Sequence, residues 1–361
     1  MKRHLARHVV FAAAAACAVW SPVSLAALAQ RTFVASSGND ANTCSVTFPC
    51  RQFSAALAQT ADGGEIIVLN SAGYGTVLIT QSVSIVAPPG IYGGMTVISG
   101  DGVTIAGAGI DVRLRGLTIN GIGASAVTGI NVTDAARVTI TDCTVSSMTG
   151  SAIGIFAPSS DVTVANTTVR GGNQGILKFG GGPLTVVDSR FMVTGSVAIF
   201  VLAGDTTVAG TLVASSRDDG IDLGAGGGVT RIAISDSVIS GSALNGINVA
   251  GGTADASKAE IVGNTIAHNG YNGILAIDGG GATVVAAAKG NLIFNNTLAD
   301  NTAAGIQSNG PGAQVRVSGN SIFGNATGVI EIATGHLYSP GDNYVHDNGV
   351  DNGGHSLDTK L

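Results

Sequence analysis

The sequence predicts an all-β chain coiled into a solenoid of stacked parallel strands, and three observations predict it. Gly accounts for 54 of 361 residues and charged residues for only 11%. With abundant Val, Ile, Thr, Ala and Asn, that composition suits short strands joined by tight turns, not helices. A degenerate unit recurs: apolar-x-apolar-x-Gly/Asp/Asn, a small turn residue, then a second strand opened by Gly-Ile. Its markers stand 22 to 32 residues apart, too close for a strand plus a crossover helix in every copy.

Taken in order, the chain opens with Lys2, Arg3 and Arg7, an apolar run from Val9 to Trp20, and a small-x-small site at Ala27-Leu28-Ala29. This reads as a signal peptide over 1–29, and the run is too short to span a bilayer. Cys17 invites a lipoprotein reading, but Ala14 stands where a lipobox prefers Leu, so cleavage near Ala29 and a secreted or periplasmic location are expected. Removing 1–29 takes three basic residues and no acidic one, so the net charge falls from −6 to −9. That charge argues against nucleic acid as a partner. It also repels an anionic polysaccharide unless a cation bridges the two.

Residues 30–65 read as an N-terminal cap. Cys44 and Cys50 flank a short loop and are expected to pair in an oxidising compartment. Phe53, Ala56 and Leu57 at helical spacing predict a helix within Arg51 to Ala61, stopped by Asp62-Gly63-Gly64. The solenoid is expected over 66–333. Its markers fall at Gly116, Asp142, Asn166, Asp188, Gly210, Asp236, Gly263, Asn295 and Gly319, giving nine aligned coils within a total of about ten to eleven. Period-two alternation puts one strand face inside, and no copy can bury that face alone. The residues after the markers, mostly Ser, Thr and Asn, form a column of stacked turns. Cys143 stands in it as a Ser isostere. Residues 334–361, polar and irregular, read as a C-terminal cap or tail.

This repeat, with its Gly-Ile strand and its turn column, resembles the right-handed parallel β-helix repeats of the pectate-lyase-like superfamily. The run Cys44 to Tyr74, with Pro49-Cys50-Arg51-Gln52-Phe53 and Gly63-Gly64-Glu65-Ile66-Ile67-Val68-Leu69, resembles secreted bacterial members without assigned function. The resemblance implies a right-handed parallel β-helix. Because that superfamily includes polysaccharide lyases, glycoside hydrolases, epimerases, adhesins and tailspikes, it does not choose an activity.

Two features carry candidate chemistry. Arg217-Asp218-Asp219-Gly220-Ile221-Asp222 interrupts an otherwise uncharged pattern, and paired carboxylates can serve as acid and base on a glycosidic bond. The run resembles the paired-aspartate motif of polygalacturonase-type hydrolases, but their Gly-His-Gly, Asn-Thr-Asp and Arg-Ile-Lys partners are absent. The catalytic candidates are Asp218, Asp219 and Asp222, with a solvated turn as the alternative. Strand parity then places Phe156, Leu177 and Phe200 together on the outside, with Pro158, Phe179 and Leu202 two positions on and Asp222 and Asn248 at the border. Phe156, Leu177, Phe200, Asn245 and Asn248 are the candidate ligand-binding residues. An apolar strip beside amides and carboxylates suits a sugar ring, and equally suits self-association. A lyase would need a base and a cation, and Lys178 and Arg170 are the nearest candidates. His268, His336, His346 and His355 have no metal-ligand spacing. Asp342 to Asp351, with Asn343, Asn348 and Asn352, could hold Ca²⁺ but does not match a Ca²⁺ loop and reads as a solvated polar tail, so no cofactor is expected, with Ca²⁺ as the alternative. The expected function is binding of an extracellular polysaccharide along one face, with processing if the carboxylates react. A structural or adhesive surface protein and a self-associating β-helix are the alternatives.

Overall fold

The computed structural model describes residues 28–192, 195–224, 230–251, 257–278, 291–294 and 296–353. The expected signal peptide, apart from Leu28 and Ala29, lies outside them, as do Cys17, Asn295 and His355. Thirteen strands stack side by side in one sheet, from Ala29–Val34 to His336–Tyr338. The first belongs to the capped end and the last to the closing turn, leaving about 11 turns of parallel β-solenoid. A middle turn shows the plan. Asp161–Ala165, Thr168–Arg170 and Gln174–Lys178 each pair in parallel with the strands one turn before and one turn after. Three stacks therefore wall a tube. In the first turns the second and third stacks share the long strands Gly93–Ala106 and Leu117–Asp134.

The repeat's chemistry explains this geometry. The marker residues bend the chain from the first stack into the second. Gly116, Asp142, Asn166, Asp188, Gly210, Asp236, Gly263 and Gly319 all have φ between 45° and 71°. Only Gly, Asn and Asp adopt that left-handed conformation readily, hence the Gly/Asp/Asn restriction. Alternating apolar residues fill the tube. Val145, Val169, Phe191, Val213 and Ile239 form one fully buried column in register.

The turn column is a hydrogen-bonded ladder. The backbone N–H of Thr167 donates to Ser189 Oγ, that of Ser189 to Thr211 Oγ1, and that of Thr211 to Ser237 Oγ. Ser237, Asn264, Asn296 and Asn320 continue it, each N–H donating to the side-chain oxygen of the next turn at 2.9–3.0 Å, as far as Asn343. Cys143 is buried beneath this column, its Sγ 3.3 Å from the Thr141 carbonyl. Burial pushes its thiol up to about 12, so it is an inert stand-in for a hydroxyl.

At the N-terminal end the helix is Phe53–Gln59, shorter than the spacing suggests. Thr60 already belongs to the next strand, its hydroxyl shared between Ala56 O and Thr32 Oγ1. The helix buries Phe53, Ala56 and Leu57 and sets Phe53 against Tyr74, while the Cys44–Cys50 disulfide closes the loop before it. At the other end, residues 334–353 are not irregular. His336–Tyr338, Tyr344–Val345 and Val350–Asn352 pair in parallel and build one further turn. Asn343 and Asn348, read as part of a solvated tail, extend two ladders there.

Candidate functional site

The candidate face is the outside of the third stack. Its outward column runs Thr104, Asn131, Gly154, Leu177, Phe200, Asp222, Asn248 in successive turns. This corrects one expectation. Phe156 is not in that column, because Ile153, not Ile155, aligns with Ile130 and Ile176. Ser151-Ala152-Ile153-Gly154-Ile155 offers two phases with the same alternation, and stacking selects the earlier one. Phe156 instead stands two residues further along the strand, beside Phe179. Their rings stack with centroids 5.6 Å apart and planes 19° from parallel. The Phe156 ring lies over Gly154, where any Cβ would come within 2.7 Å of it. Phe156 is 42% and Phe179 50% exposed, while Leu177 and Phe200 are half-buried beside them. Pro158 is exposed beyond them, and Leu202 is half-buried against Gly224.

The three aspartates take different positions. Asp219 is only 5% exposed and accepts two bonds on Oδ1, from Asn245 N (2.8 Å) and Asn245 Nδ2 (2.9 Å). Asn245 Oδ1 in turn accepts from Asn272 N and Nδ2, and Asn272 Oδ1 from Ala304 N. Asp219 thus terminates an asparagine ladder. Asn245, expected on the face, is buried in this ladder with both ends of its amide engaged. Asp222 is half-buried in the outward column, and Asn248 Nδ2 donates to its Oδ1 at 3.1 Å. Asp218 is half-buried and Arg217 exposed.

Burial dominates the electrostatics. It raises Asp219 above the ordinary carboxylate range, against the pull of the Asn245 bonds. Asp222 is pushed up to about 7, first by burial and then by the charges of Asp219 and Asp218. At neutral pH Asp222 is therefore near the midpoint of its titration, with two further carboxyl groups beside it, an arrangement that can supply an acid.

Lys178 does not serve this face. It points into the tube between Ile155 and Val201, is 0% exposed, and donates from Nζ to Ala203 O. Burial lowers it to about 8. Arg170 lies exposed on the second stack, in register with Ser146 and Met192. Neither basic group expected beside the strip stands in its outward columns. Among the described residues no group of three or more His, Cys, Asp or Glu side chains could hold a metal ion. No helix among them is long and apolar enough to cross a membrane.

One pair escaped the sequence reading. Asp101 Oδ2 accepts from Asn131 Nδ2 at 2.6 Å at the near end of the apolar strip. Register from turn to turn places Asp101, Thr128, Ser151, Gln174, Val197 and Asp219 in one column. The near-even spacing 101, 128, 151, 174, 197, 219 would have revealed it. It was hidden because no marker stands before Gly116 to fix the register there.

These features define a parallel β-helix protein with an aromatic and carboxylate face. The sequence matches the model of the family described as right handed beta helix region over residues 65–213 and 198–359, and the chain belongs to that family. No curated protein matches it. Among solved structures it is similar to a GH136 lacto-N-biosidase from Eubacterium ramulus. The native crystal gives 10% identity, 88% of this chain, 68% of that chain and a TM-score of 0.56. The selenomethionine derivative gives 11%, the same coverages and 0.62. A pectate lyase, Pel9A, aligns at 15% identity over 90% of this chain and 78% of its own, with a TM-score of 0.42. At its identity the likeness to the lacto-N-biosidase is one of fold.

Proposed function

We propose that the chain is an exported β-helix protein that binds a polysaccharide along the outward face of its third stack. The observation that carries this reading is the exposed, stacked Phe156–Phe179 pair, followed along the solenoid by Phe200 and then by the Asp222–Asn248 pair. Flat apolar rings edged by polar groups match the faces and hydroxyls of a pyranose. Export is supported by the basic-then-apolar start of the sequence and by the Cys44–Cys50 disulfide. The similar lacto-N-biosidase is by its name a carbohydrate-active enzyme on the same fold. The test is a glycan array with the wild-type protein and the Phe156→Ala/Phe179→Ala double variant. Retention of at least one glycan, lost in the variant, is expected. If the variant changes sedimentation while wild-type protein retains no glycan, the strip is a self-association surface and the reading fails.

A second reading, cleavage of the bound chain, is favoured by Asp222 being held at about 7 beside two further carboxylates. Protonated Asp222 would serve as the acid and a neighbouring carboxylate as base or nucleophile. A reducing-end assay tests it. Release of new ends, falling as pH rises through about 7 and abolished by Asp222→Asn, is expected. Equal release by that variant would remove Asp222 from the chemistry.

A further inference from the structure

The apolar strip is bounded at both ends by an asparagine–aspartate pair. At one end Asn131 donates to Asp101, and at the other Asn248 donates to Asp222 with Asp219 behind it. Asp101 and Asp219 occupy equivalent positions of the repeat, as do Asn131 and Asn248. In both pairs the asparagine Oδ1 is buried without a partner among the described residues. From Asn131 to Asn248 the column climbs five turns, about 24 Å at about 4.8 Å per turn.

Resting on the glycan-binding reading above, we infer that this face is a linear site for about five rings of a neutral glycan laid parallel to the solenoid axis. Three arguments meet here. The rise per turn is close to the length of one pyranose unit in an extended chain, so successive rings meet successive turns in step. The middle turns offer apolar surface through Phe156, Leu177, Phe179 and Phe200, and the two ends offer carboxylate–amide pairs that bind hydroxyls. The charge on the face is of one sign. The outward column from Thr104 to Asn248 holds a carboxylate at Asp222 and no Lys or Arg, and Lys178 is turned inward. Polyuronates, with one carboxylate per ring, would meet that charge at either end with nothing in the column to neutralise them. Hydroxyl or acetamido donors find acceptors in the same places.

The experiment is calorimetric titration of the protein with three oligomer series: cello-oligosaccharides, chito-oligosaccharides and oligogalacturonates with and without Ca²⁺. Each series runs from two to about eight rings. At least one neutral series should bind, with affinity rising to about five rings and then levelling. Oligogalacturonates should bind at least about tenfold more weakly, Ca²⁺ notwithstanding. Asn131→Ala, at the far end from the aspartate cluster, should weaken the longest neutral oligomers about fivefold, the loss of one hydrogen bond. It should leave dimers unchanged. Affinity independent of length, or an Asn131→Ala protein binding every length as wild type does, overturns the linear site. Oligogalacturonate binding as tight as the neutral series overturns the substrate class alone and leaves glycan binding standing. Retention of none of the three series overturns both readings.

Discussion

Replacing Asp222 by Asn should stabilise the protein at alkaline pH and leave it unchanged in acid. Asp222 is held at about 7 in the fold, against 3.8 for an unperturbed carboxyl. A raised carboxyl favours the folded state fully only below about pH 4, where it is protonated in both states. That contribution is lost as pH rises through about 7, where folding must bury a charge beside Asp219 and Asp218. The full span is worth about 4 kcal/mol at about 1.4 kcal/mol per pH unit. Asp222 is half-buried rather than sealed, so water screens part of this and about 2 kcal/mol is the working figure. A chain of 361 residues unfolds with an entropy of about 0.8 kcal/mol per degree, so the gain is about 3 °C in Tm. Asn keeps the carbonyl oxygen that Asn248 bonds, so the substitution removes charge with little change in packing. Thermal melts followed by circular dichroism should show wild type and variant within about 1 °C at about pH 4, the variant melting about 3 °C higher at about pH 8.5. A Tm difference that does not grow with pH would refute the account of this cluster.

Three further outcomes follow from the same structure. Lys178→Met should act with the opposite pH sign: the folded state holds this amine at about 8 instead of 10.5, so the charged lysine destabilises at neutral pH. Melts should show the variant a few degrees more stable near about pH 6, with the gain fading towards about pH 11. Asn296→Ala removes the acceptor of Asn264 N and Nδ2 and the donor to Ile261 O and Asn320 Oδ1, all buried. It should lower stability by about 3 to 5 kcal/mol in denaturant titrations, whereas Asn343→Ala at the ladder's end should cost about 1. Cys44→Ser/Cys50→Ser opens a loop of six-residue separation and should cost about 2 kcal/mol, read as earlier proteolysis of the capped end.

The fold was legible because a solenoid writes the same constraint many times. Left-handed φ at each described marker favours Gly, Asn or Asp, and inward positions favour apolar residues, so nine copies reinforce one register even where single copies are weak. Legibility failed where one copy stood without that redundancy. Ile153 and Ile155 both satisfy the alternation, and only pairing with Ile130 and Ile176 chooses between them. That two-residue difference moved Phe156 onto Phe179. Asn245 shows a second limit. Composition cannot distinguish an asparagine that faces a ligand from one that stacks on its neighbour, because the same amide does both. Lys178 shows a third: the parity that puts Leu177 outside already turns Lys178 inward, and it reads as surface only because a lysine is so seldom buried.

The direction of the ladders decides which aspartate carries the proton. In the ladder from Ser237 to Asn343, each backbone N–H donates towards the C-terminal end of the solenoid. The ladder through Asn272 and Asn245 runs the other way, each amide donating to the turn before. Its N–H end therefore converges on Asp219 Oδ1. A neutral amide accepts the same two bonds one turn on, at Asn245 Oδ1, but a carboxylate at 219 is stabilised more strongly by the two donors and by the aligned amide dipoles behind them. Asp222 has one such donor, Asn248, and no ladder behind it on that oxygen. Both groups are raised by burial, but the ladder holds negative charge on Asp219 and leaves the proton to Asp222, the residue in the outward column. The same asparagines that hold the coils together thus place a protonatable group at the end of the aromatic strip.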